Sequence, residues 1–203
     1  MKKAQAVDPL VPFSLCVFFL LKPCTLAYFL LLGEDVFKID SCIMPIIHLT
    51  TFIAAPIERV FDLSRSIDLH KKSMTEHREE AVAGTIMGLI NLNETVTWKA
   101  KHLMKTRVLQ IKITAMERPF SFTDEMKKGD FKSMKHEHHF KSIDNGTLMI
   151  DVFNFEAPYG GLGKFFSGIY LSGYLEKLLE QRNLVIKDYA ESNKWKHMLE
   201  NKQ

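Results

Sequence analysis

The chain of 203 residues has the length of one domain, or of a smaller domain with an appendage. Its three cysteines, Cys16, Cys24 and Cys42, all precede residue 44. The rest of the chain therefore has no disulfide framework, no thiolate nucleophile and no cysteine-based zinc site. The net charge of +3 is spread among acidic residues, with no basic run longer than a pair. This excludes a nucleic-acid-binding protein, because that function needs a concentrated basic patch.

Residues 1–43 form an apolar extension. Its most apolar part, residues 10–32, begins at Leu10 and ends at Leu32, and it is long enough to cross a bilayer core of about 30 Å. Lys22, near the middle, costs roughly 2.5 to 3.5 kcal/mol of insertion free energy, which fourteen Leu, Val and Phe side chains outweigh. Three interpretations stay open: a membrane anchor, a signal sequence, or a segment that is not part of the working protein. We expect a cytoplasmic protein, or one anchored to a membrane through this stretch.

A strand and two short helices follow the extension. Residues 46–53, IIHLTTFI, are rich in β-branched and apolar side chains, as is typical of a strand. Pro56 indicates the first turn of a helix that places Phe61 on an apolar face. Asp68 is the predicted N-cap of a second short helix, DLHKKSM.

Four strands then form an antiparallel meander. Their apolar positions alternate with charged ones, which predicts one buried face and one face in water. In the first three strands the predicted inward positions are Val96, Trp98, Ala100 and His102, then Leu109, Ile111, Ile113 and Ala115, then Phe120, Phe122, Asp124 and Met126.

The fourth strand contains three histidines within four positions, in MKHEHHF, residues 134–140. Asn145-Gly146 is a typical two-residue hairpin turn, because a type I′ turn needs positive φ at both positions. This turn would place Phe140 opposite Asp151 on the next strand.

One face of this hairpin carries most of its aromatic side chains, and we expect that face to point inward. His139 is on the other face and points outward. The predicted inward residues are His136, His138, Phe140, Met149, Asp151, Phe153 and Phe155.

A long helix is predicted over residues 163–192, after Pro158 and the sequence YGGLG. Gly168 and Gly173 each cost roughly 1 kcal/mol inside a helix. Close packing against the sheet is the favoured reason for them, and room for a ligand is the alternative. The predicted apolar stripe consists of Phe166, Ile169, Tyr170, Gly173, Tyr174 and Leu178.

The predicted fold class is α+β. A curved antiparallel sheet wraps around the long C-terminal helix, with two short helices after the first strand. The domain covers residues 44–193, and residues 194–203 form a polar tail that frays.

The predicted inward face contains five ionisable groups, and their burial is costly unless they pair or meet a ligand. Three interpretations remain. The first is a solid core with Asp–His hydrogen bonds. The second, which we favour, is an apolar pocket with a few convergent polar groups. The third is a metal site of three histidines and a carboxylate. It lacks a helical HExxH motif or any second spacing signature, so no metal ligand and no cofactor is assigned.

The segments after the extension resemble the SRPBCC superfamily of helix-grip proteins. That superfamily includes START lipid-transfer domains, aromatic polyketide cyclases and the birch-pollen-allergen fold. The sequence is similar to a bacterial subgroup of ligand-binding SRPBCC proteins over residues 44–190. The segments that carry the resemblance are AAPIERVFDL with DLH, ETVTWKAKH, ITAMERPFSFTDEMKKGDFKSMKHEHHF and NGTLMIDVFNFEAPYGGLG.

This resemblance implies a deep cavity between the sheet and the C-terminal helix. The cavity would hold a hydrophobic or amphipathic small molecule or lipid. The resemblance implies no catalytic residue. Our candidate ligand-binding residues are Trp98, His102, Phe122, Asp124, His136, His138, Phe140, Asp151, Phe153, Phe155, Tyr170 and Tyr174.

Three functions are compatible with such a cavity. The favoured one is a non-catalytic carrier of a lipid, isoprenoid or aromatic metabolite. The second is a cyclase, dehydratase or hydrolase in which His136 or His138 acts as the general base. The third is a membrane-tethered protein that handles a lipid or a quinone, anchored through the apolar extension.

Overall fold

The computed structural model describes residues 45–102, 104–157 and 162–199, with the side chains of residues 162–169 excepted. The predicted extension, with its apolar stretch at residues 10–32, lies outside this part. Within it, no helix combines the length and the apolar composition that crossing a bilayer requires.

A seven-stranded antiparallel sheet is the main element, in the order β1-β7-β6-β5-β4-β3-β2. The strands are β1 (Ile46–Ile53), β2 (Glu80–Gly84), β3 (Thr95–His102), β4 (Lys105–Glu117), β5 (Ser121–Lys128), β6 (Ser133–Ile143) and β7 (Gly146–Glu156). The helices are α1 (Ile57–Ser64), α2 (Ile67–Ser73), α3 (Leu162–Glu191) and α4 (Lys194–Leu199), with a short 3₁₀ helix at Thr75–His77. The predicted α+β fold, with two short helices after the first strand and a long C-terminal helix, is confirmed.

The β6–β7 hairpin has the predicted faces but not the predicted register. Phe140 pairs with Met149, and His138 pairs with Asp151. The prediction was wrong by two positions, because the turn is Asp144-Asn145 and Gly146 already belongs to β7. A shift of two keeps every side chain on its face, so the inward residues of both strands are buried as predicted.

Gly146 is needed for a close approach of backbones rather than for the turn. A Cβ at this position would overlap the carbonyl oxygen of Ile53 in β1, and the φ angle of 155° is one that L residues rarely adopt. Because Gly146 has no Cβ, β1 can pair with β7 as far as Ile53, the last residue of β1.

We expect Gly146→Ala to lower the free energy of unfolding by about 1 to 3 kcal/mol, through backbone strain and steric overlap. Gly173→Ala in α3 is the matched control, since a Cβ added there would have no heavy atom within 4 Å. It should raise the free energy of unfolding by about 0.5 to 1 kcal/mol, as alanine is the better helix former. Urea unfolding measures both, and a shift in the same direction would contradict this assignment.

The open space at Gly173 also shows that close packing, the favoured reason for this glycine, is wrong. Gly168 lies among the residues whose side-chain surroundings are not described.

Two features of the meander differ from the simple alternation. A register shift between Ile113 and Ala115 in β4 exposes Ala115 and turns Met116 toward the core. Phe120 precedes β5 and is 53% exposed, so its predicted inward position is wrong.

The edge strand β2, EAVAG, was not predicted, because it is short and mostly exposed.

Both predicted short helices form, with one difference at a cap. Ser66, not Asp68, is the N-cap of α2, and its side chain accepts a hydrogen bond from the Leu69 N–H. Asp68 instead accepts a hydrogen bond from the Gly88 N–H at 2.9 Å. Phe61 of α1 is 1% exposed and contacts the aromatic side chains of the sheet.

Among the described side chains of α3, residues 170–191, most hydrogen bonds to the rest of the domain come from residues 181–191. Within residues 170–178, Tyr174 makes the only described side-chain hydrogen bond, to His102. Side-chain hydrogen bonds further along α3 include Gln181 Nε2 to Ser73 O, Arg182 Nη2 to Ser64 O, Asn183 Nδ2 to Asp151 Oδ2, Lys187 Nζ to Phe52 O, and Ala54 N to Glu191 Oε1.

The predicted fraying of the C-terminal tail is wrong for residues 194–199. They form α4, in which Met198 is 5% exposed. Trp195 lies under the guanidinium of Arg59, at 4.3 Å from the ring centroid. The remaining residues of the predicted tail lie outside the described part.

Candidate functional site

A cavity of about 510 Å³ lies between the sheet and α3. Apolar side chains form most of its wall, among them Val96, Ile111, Ile113, Leu175 and Leu179 of β3, β4 and α3. The interior is therefore not the solid core that was one of the three interpretations. Nine of the twelve predicted ligand-binding residues line the cavity: Trp98, His102, Phe122, Asp124, His136, His138, Phe153, Tyr170 and Tyr174.

The other three predicted residues lie behind the cavity wall. Phe140 packs edge-on against Phe61, with ring centroids 5.4 Å apart. Phe155 contacts Phe131 and Phe153. Asp151 is 0% exposed and lies beneath the two histidines. Alternation of a strand assigns a face, but it does not say which residues of that face reach the surface of a cavity.

A buried polar cluster forms one end of the cavity. His136 and His138 are neighbours on one face of β6, with ring centroids 3.8 Å apart. Asp124 of β5 pairs with His136, and Asp151 of β7 pairs with His138, so the sheet register places a carboxylate on each side. We call Asp124, His136, His138 and Asp151 the Asp–His cluster.

Asp151 is the anchor of the Asp–His cluster. Its Oδ1 accepts hydrogen bonds from His138 Nδ1 at 2.8 Å and from His136 Nε2 at 3.0 Å. Its Oδ2 accepts a hydrogen bond from Asn183 Nδ2 at 2.7 Å, and the Arg182 guanidinium lies 3.8 Å from Oδ1. Each histidine thus donates one ring N–H to the same carboxylate, which fixes both ring orientations.

The pKa directions follow from this arrangement. Burial would raise the pKa of Asp151, but the hydrogen bonds from both histidines hold it well below its usual range. Burial would also raise the pKa of Asp124, but the hydrogen bond from His138 together with the charges of His136, His138 and Arg182 lowers it. Burial would lower the pKa of His138, yet its hydrogen bonds to both carboxylates raise it. The pKa of His136 is lowered by burial and by the neighbouring charge of His138. These directions favour two carboxylates and place a shared proton on His138 rather than on His136.

His136 has a free lone pair toward the cavity in this state. His138 uses both ring nitrogens, the second in a hydrogen bond of 3.0 Å to Asp124 Oδ2. His136 Nδ1 lies 3.9 Å from the same Oδ2 and has no hydrogen-bond donor within the described part of the chain. If a histidine of this cluster acts as a general base, the geometry selects His136.

A second polar group lines the opposite wall. His102 Nδ1 and the Tyr174 hydroxyl are hydrogen-bonded at 2.8 Å, and the rings of His77 and His102 are 4.9 Å apart. His70 stacks on Trp98 at 4.3 Å and lies 3.4 Å from Glu79. Burial lowers the pKa of His102, and although burial acts to raise the pKa of Glu79, the nearby histidines lower it.

The sequence analysis missed Arg182 and Asn183 of α3. Arg182 lines the cavity, and both side chains are buried against Asp151. The spacing of Leu175, Leu179 and Ile186 at i, i+4 and i+11 marks the buried face of α3. Arg182 occupies position i+7 on that face, and a charged residue among apolar ones was the signal that could have identified it.

Solved structures similar to this chain show which fold it has. The Zhui aromatase/cyclase from Streptomyces sp. R1128 superposes with a TM-score of 0.60 at 12% identity, over 73% of this chain and 94% of that chain. A START superfamily protein from Mycobacterium smegmatis gives a TM-score of 0.55 at 12% identity, over 72% of this chain and 97% of that chain. The described part of this chain has the fold that these two proteins share. Ginseng major latex-like protein 151 from Panax ginseng has the same fold, with a TM-score of 0.54 at 15% identity, over 72% of this chain and 97% of that chain.

The SRPBCC resemblance predicted from the sequence is thus confirmed at the level of the fold. Comparison of the sequence with protein-family models and with curated proteins gives no significant match. The SRPBCC fold explains why the cavity lies between α3 and the sheet, but a fold does not determine chemistry. Function has to be argued from the residues of the cavity.

Proposed function

We propose that this protein binds a hydrophobic or amphipathic small molecule in the cavity between the sheet and α3. The observation that carries this proposal is the volume of about 510 Å³, which falls within the range of roughly 300 to 1,000 Å³ of small-molecule sites. A space of this size lined by aliphatic and aromatic side chains costs stability unless a ligand fills it.

The polar groups of the wall support a mainly apolar ligand with one or two polar groups. Arg182 and the Asp–His cluster lie on the side of β5, β6 and β7, while His102 and Tyr174 lie toward β3. Between them the wall is apolar. A ligand with a hydroxyl or carbonyl group can accept or donate hydrogen bonds at one end and bury its hydrocarbon part against Trp98 and Phe153. Lipids, isoprenoids and aromatic metabolites have this character.

Native mass spectrometry of the full chain, purified from its own host, tests this proposal. We expect a retained small molecule that denaturation releases. Thermal-shift measurements with a fatty acid, an isoprenoid alcohol and a polycyclic phenol should then identify the ligand class. A protein that carries nothing and whose melting temperature none of these probes raises would overturn the proposal.

Ala100→Leu should weaken binding of the best probe of that panel at least tenfold. Ala100 lines the cavity from β3, so a leucine would occupy space that the ligand needs. The affinity should be measured by isothermal titration calorimetry. Ala83→Leu on the exposed edge strand β2 is the matched control and should leave the affinity unchanged. Equal affinities of both variants and the parent chain would place the ligand outside this cavity.

Catalysis remains the alternative for the same cavity, and its supporting observation is the free Nδ1 of His136. Turnover of a polyketide or an ester that His136→Ala abolishes, while ligand binding persists, would favour an enzyme over a carrier.

A further inference from the structure

We propose that Asp124, His136 and His138 bind one divalent transition-metal ion of the Zn²⁺ type at the wall of the cavity. This goes beyond the proposed ligand binding, and it depends on the cavity only for access. It also revises the expectation from sequence, where no metal ligand was assigned because the spacing matched no metal-binding motif.

The first argument is the convergence of three ligand atoms. Asp124 Oδ2, His136 Nδ1 and His138 Nε2 all lie within 4.8 Å of one another. The distance from Asp124 Oδ2 is 3.0 Å to His138 Nε2 and 3.9 Å to His136 Nδ1. Tetrahedral ligands about 2.1 Å from a zinc ion are roughly 3.4 Å apart. These two observed distances bracket that value.

The second argument is the orientation of the histidines. Both rings donate their other N–H to Asp151 Oδ1, at 2.8 and 3.0 Å. Metal-binding histidines almost always donate their second ring nitrogen to a carboxylate or carbonyl, which fixes the tautomer and raises the basicity of the ligand atom. Asp151 performs this role for two rings at once, and Asn183 in turn fixes Asp151.

The chemistry of the three atoms identifies the class of metal. Two imidazole nitrogens and one carboxylate oxygen suit zinc or iron rather than calcium or magnesium, which prefer oxygen ligands. All three residues line the cavity. A metal ion here would therefore have three protein ligands and an open position toward the cavity, as in catalytic rather than structural zinc sites.

The test is a zinc titration of the full metal-free chain, in competition with a chromophoric chelator. Cys16, Cys24 and Cys42 are replaced by serine in all samples, so that thiolates do not bind the metal. We expect one Zn²⁺ per chain. Asp124→Asn and His136→Ala should each weaken binding at least a hundredfold. His139→Ala is the matched control, because His139 is on the same strand and faces outward.

Cobalt substitution provides a readout that needs no variant. The visible spectrum of the Co²⁺ protein should show the intense d–d bands of a four- or five-coordinate site, without the charge-transfer bands of thiolates. Circular dichroism confirms that each variant is folded, and if His136→Ala does not fold, the near-isosteric Asp124→Asn decides.

Binding of less than one tenth of an equivalent of zinc would overturn this proposal, as would equal losses in His139→Ala and Asp124→Asn. Failure of the metal site is distinguishable from failure of the proposed function. The titration contains no organic ligand, and the retained small molecule is detected without added metal.

Discussion

Replacing Asp151 by alanine should lower the free energy of unfolding by about 3 to 5 kcal/mol, the range measured when one partner of a buried ion pair is removed. The carboxylate is 0% exposed and accepts hydrogen bonds from both cluster histidines and from Asn183. Its removal leaves the Arg182 guanidinium, now 3.8 Å from Oδ1, without this compensating charge in the interior. Urea unfolding, monitored by circular dichroism, measures the effect.

Asp144→Ala is the matched control for this experiment. Asp144 is an exposed residue of the β6–β7 turn, so its replacement should change the free energy of unfolding by less than about 0.5 kcal/mol. Asp151→Asn keeps the volume but removes the charge and replaces one acceptor oxygen by an NH2 donor, and should fall between the two. A loss below about 1 kcal/mol in Asp151→Ala would show that Asp151 does not anchor the Asp–His cluster.

Phe61→Ala should cost about 3 to 5 kcal/mol of unfolding free energy, as large-to-small changes of buried aromatic residues do. Phe61 is 1% exposed and connects α1 to the sheet through edge-on contacts with Phe122 at 5.7 Å and Phe140 at 5.4 Å. It does not line the cavity, so a ligand cannot replace the lost contacts. Urea unfolding of Phe61→Ala measures this loss of unfolding free energy.

Phe120→Ala removes the same side chain from a position that is 53% exposed. It should cost less than about 1 kcal/mol, because little buried area is lost. Similar losses in the two phenylalanine variants would mean that the contacts of Phe61 with the sheet contribute little to stability.

The fold was predictable because its evidence is local. Alternation assigned the faces of β3, β6 and β7, and these faces hold even where the hairpin register differs by two, since an even shift preserves the side on which each residue lies. The register itself depends on Gly146, which lies close to the backbone of Ile53 in β1. This contact with a strand distant in sequence cannot be predicted from the turn sequence. The register shift that exposes Ala115 likewise depends on how β4 pairs with β5.

The candidate site was predictable in part for a related reason. His136 and His138 were found because an i, i+2 spacing places both on one strand face. Arg182 and Asn183 were missed because they come from another element, and only the tertiary packing of α3 brings them to Asp151. The three proposed metal ligands form no short motif either, because Asp124 lies one strand away from the histidines.

The unequal attachment of α3 has a consequence for how a guest molecule enters and leaves. Several side-chain hydrogen bonds join α3 to the rest of the domain from Gln181 onward. Residues 170–178, which form part of the cavity wall, have one described side-chain hydrogen bond, between Tyr174 and His102. Local opening has the lowest free energy where few such bonds must break. Among the described residues of α3, we therefore expect residues 170–178 to open locally before residues 181–191 do, so that the proposed ligand would exchange without global unfolding of the domain.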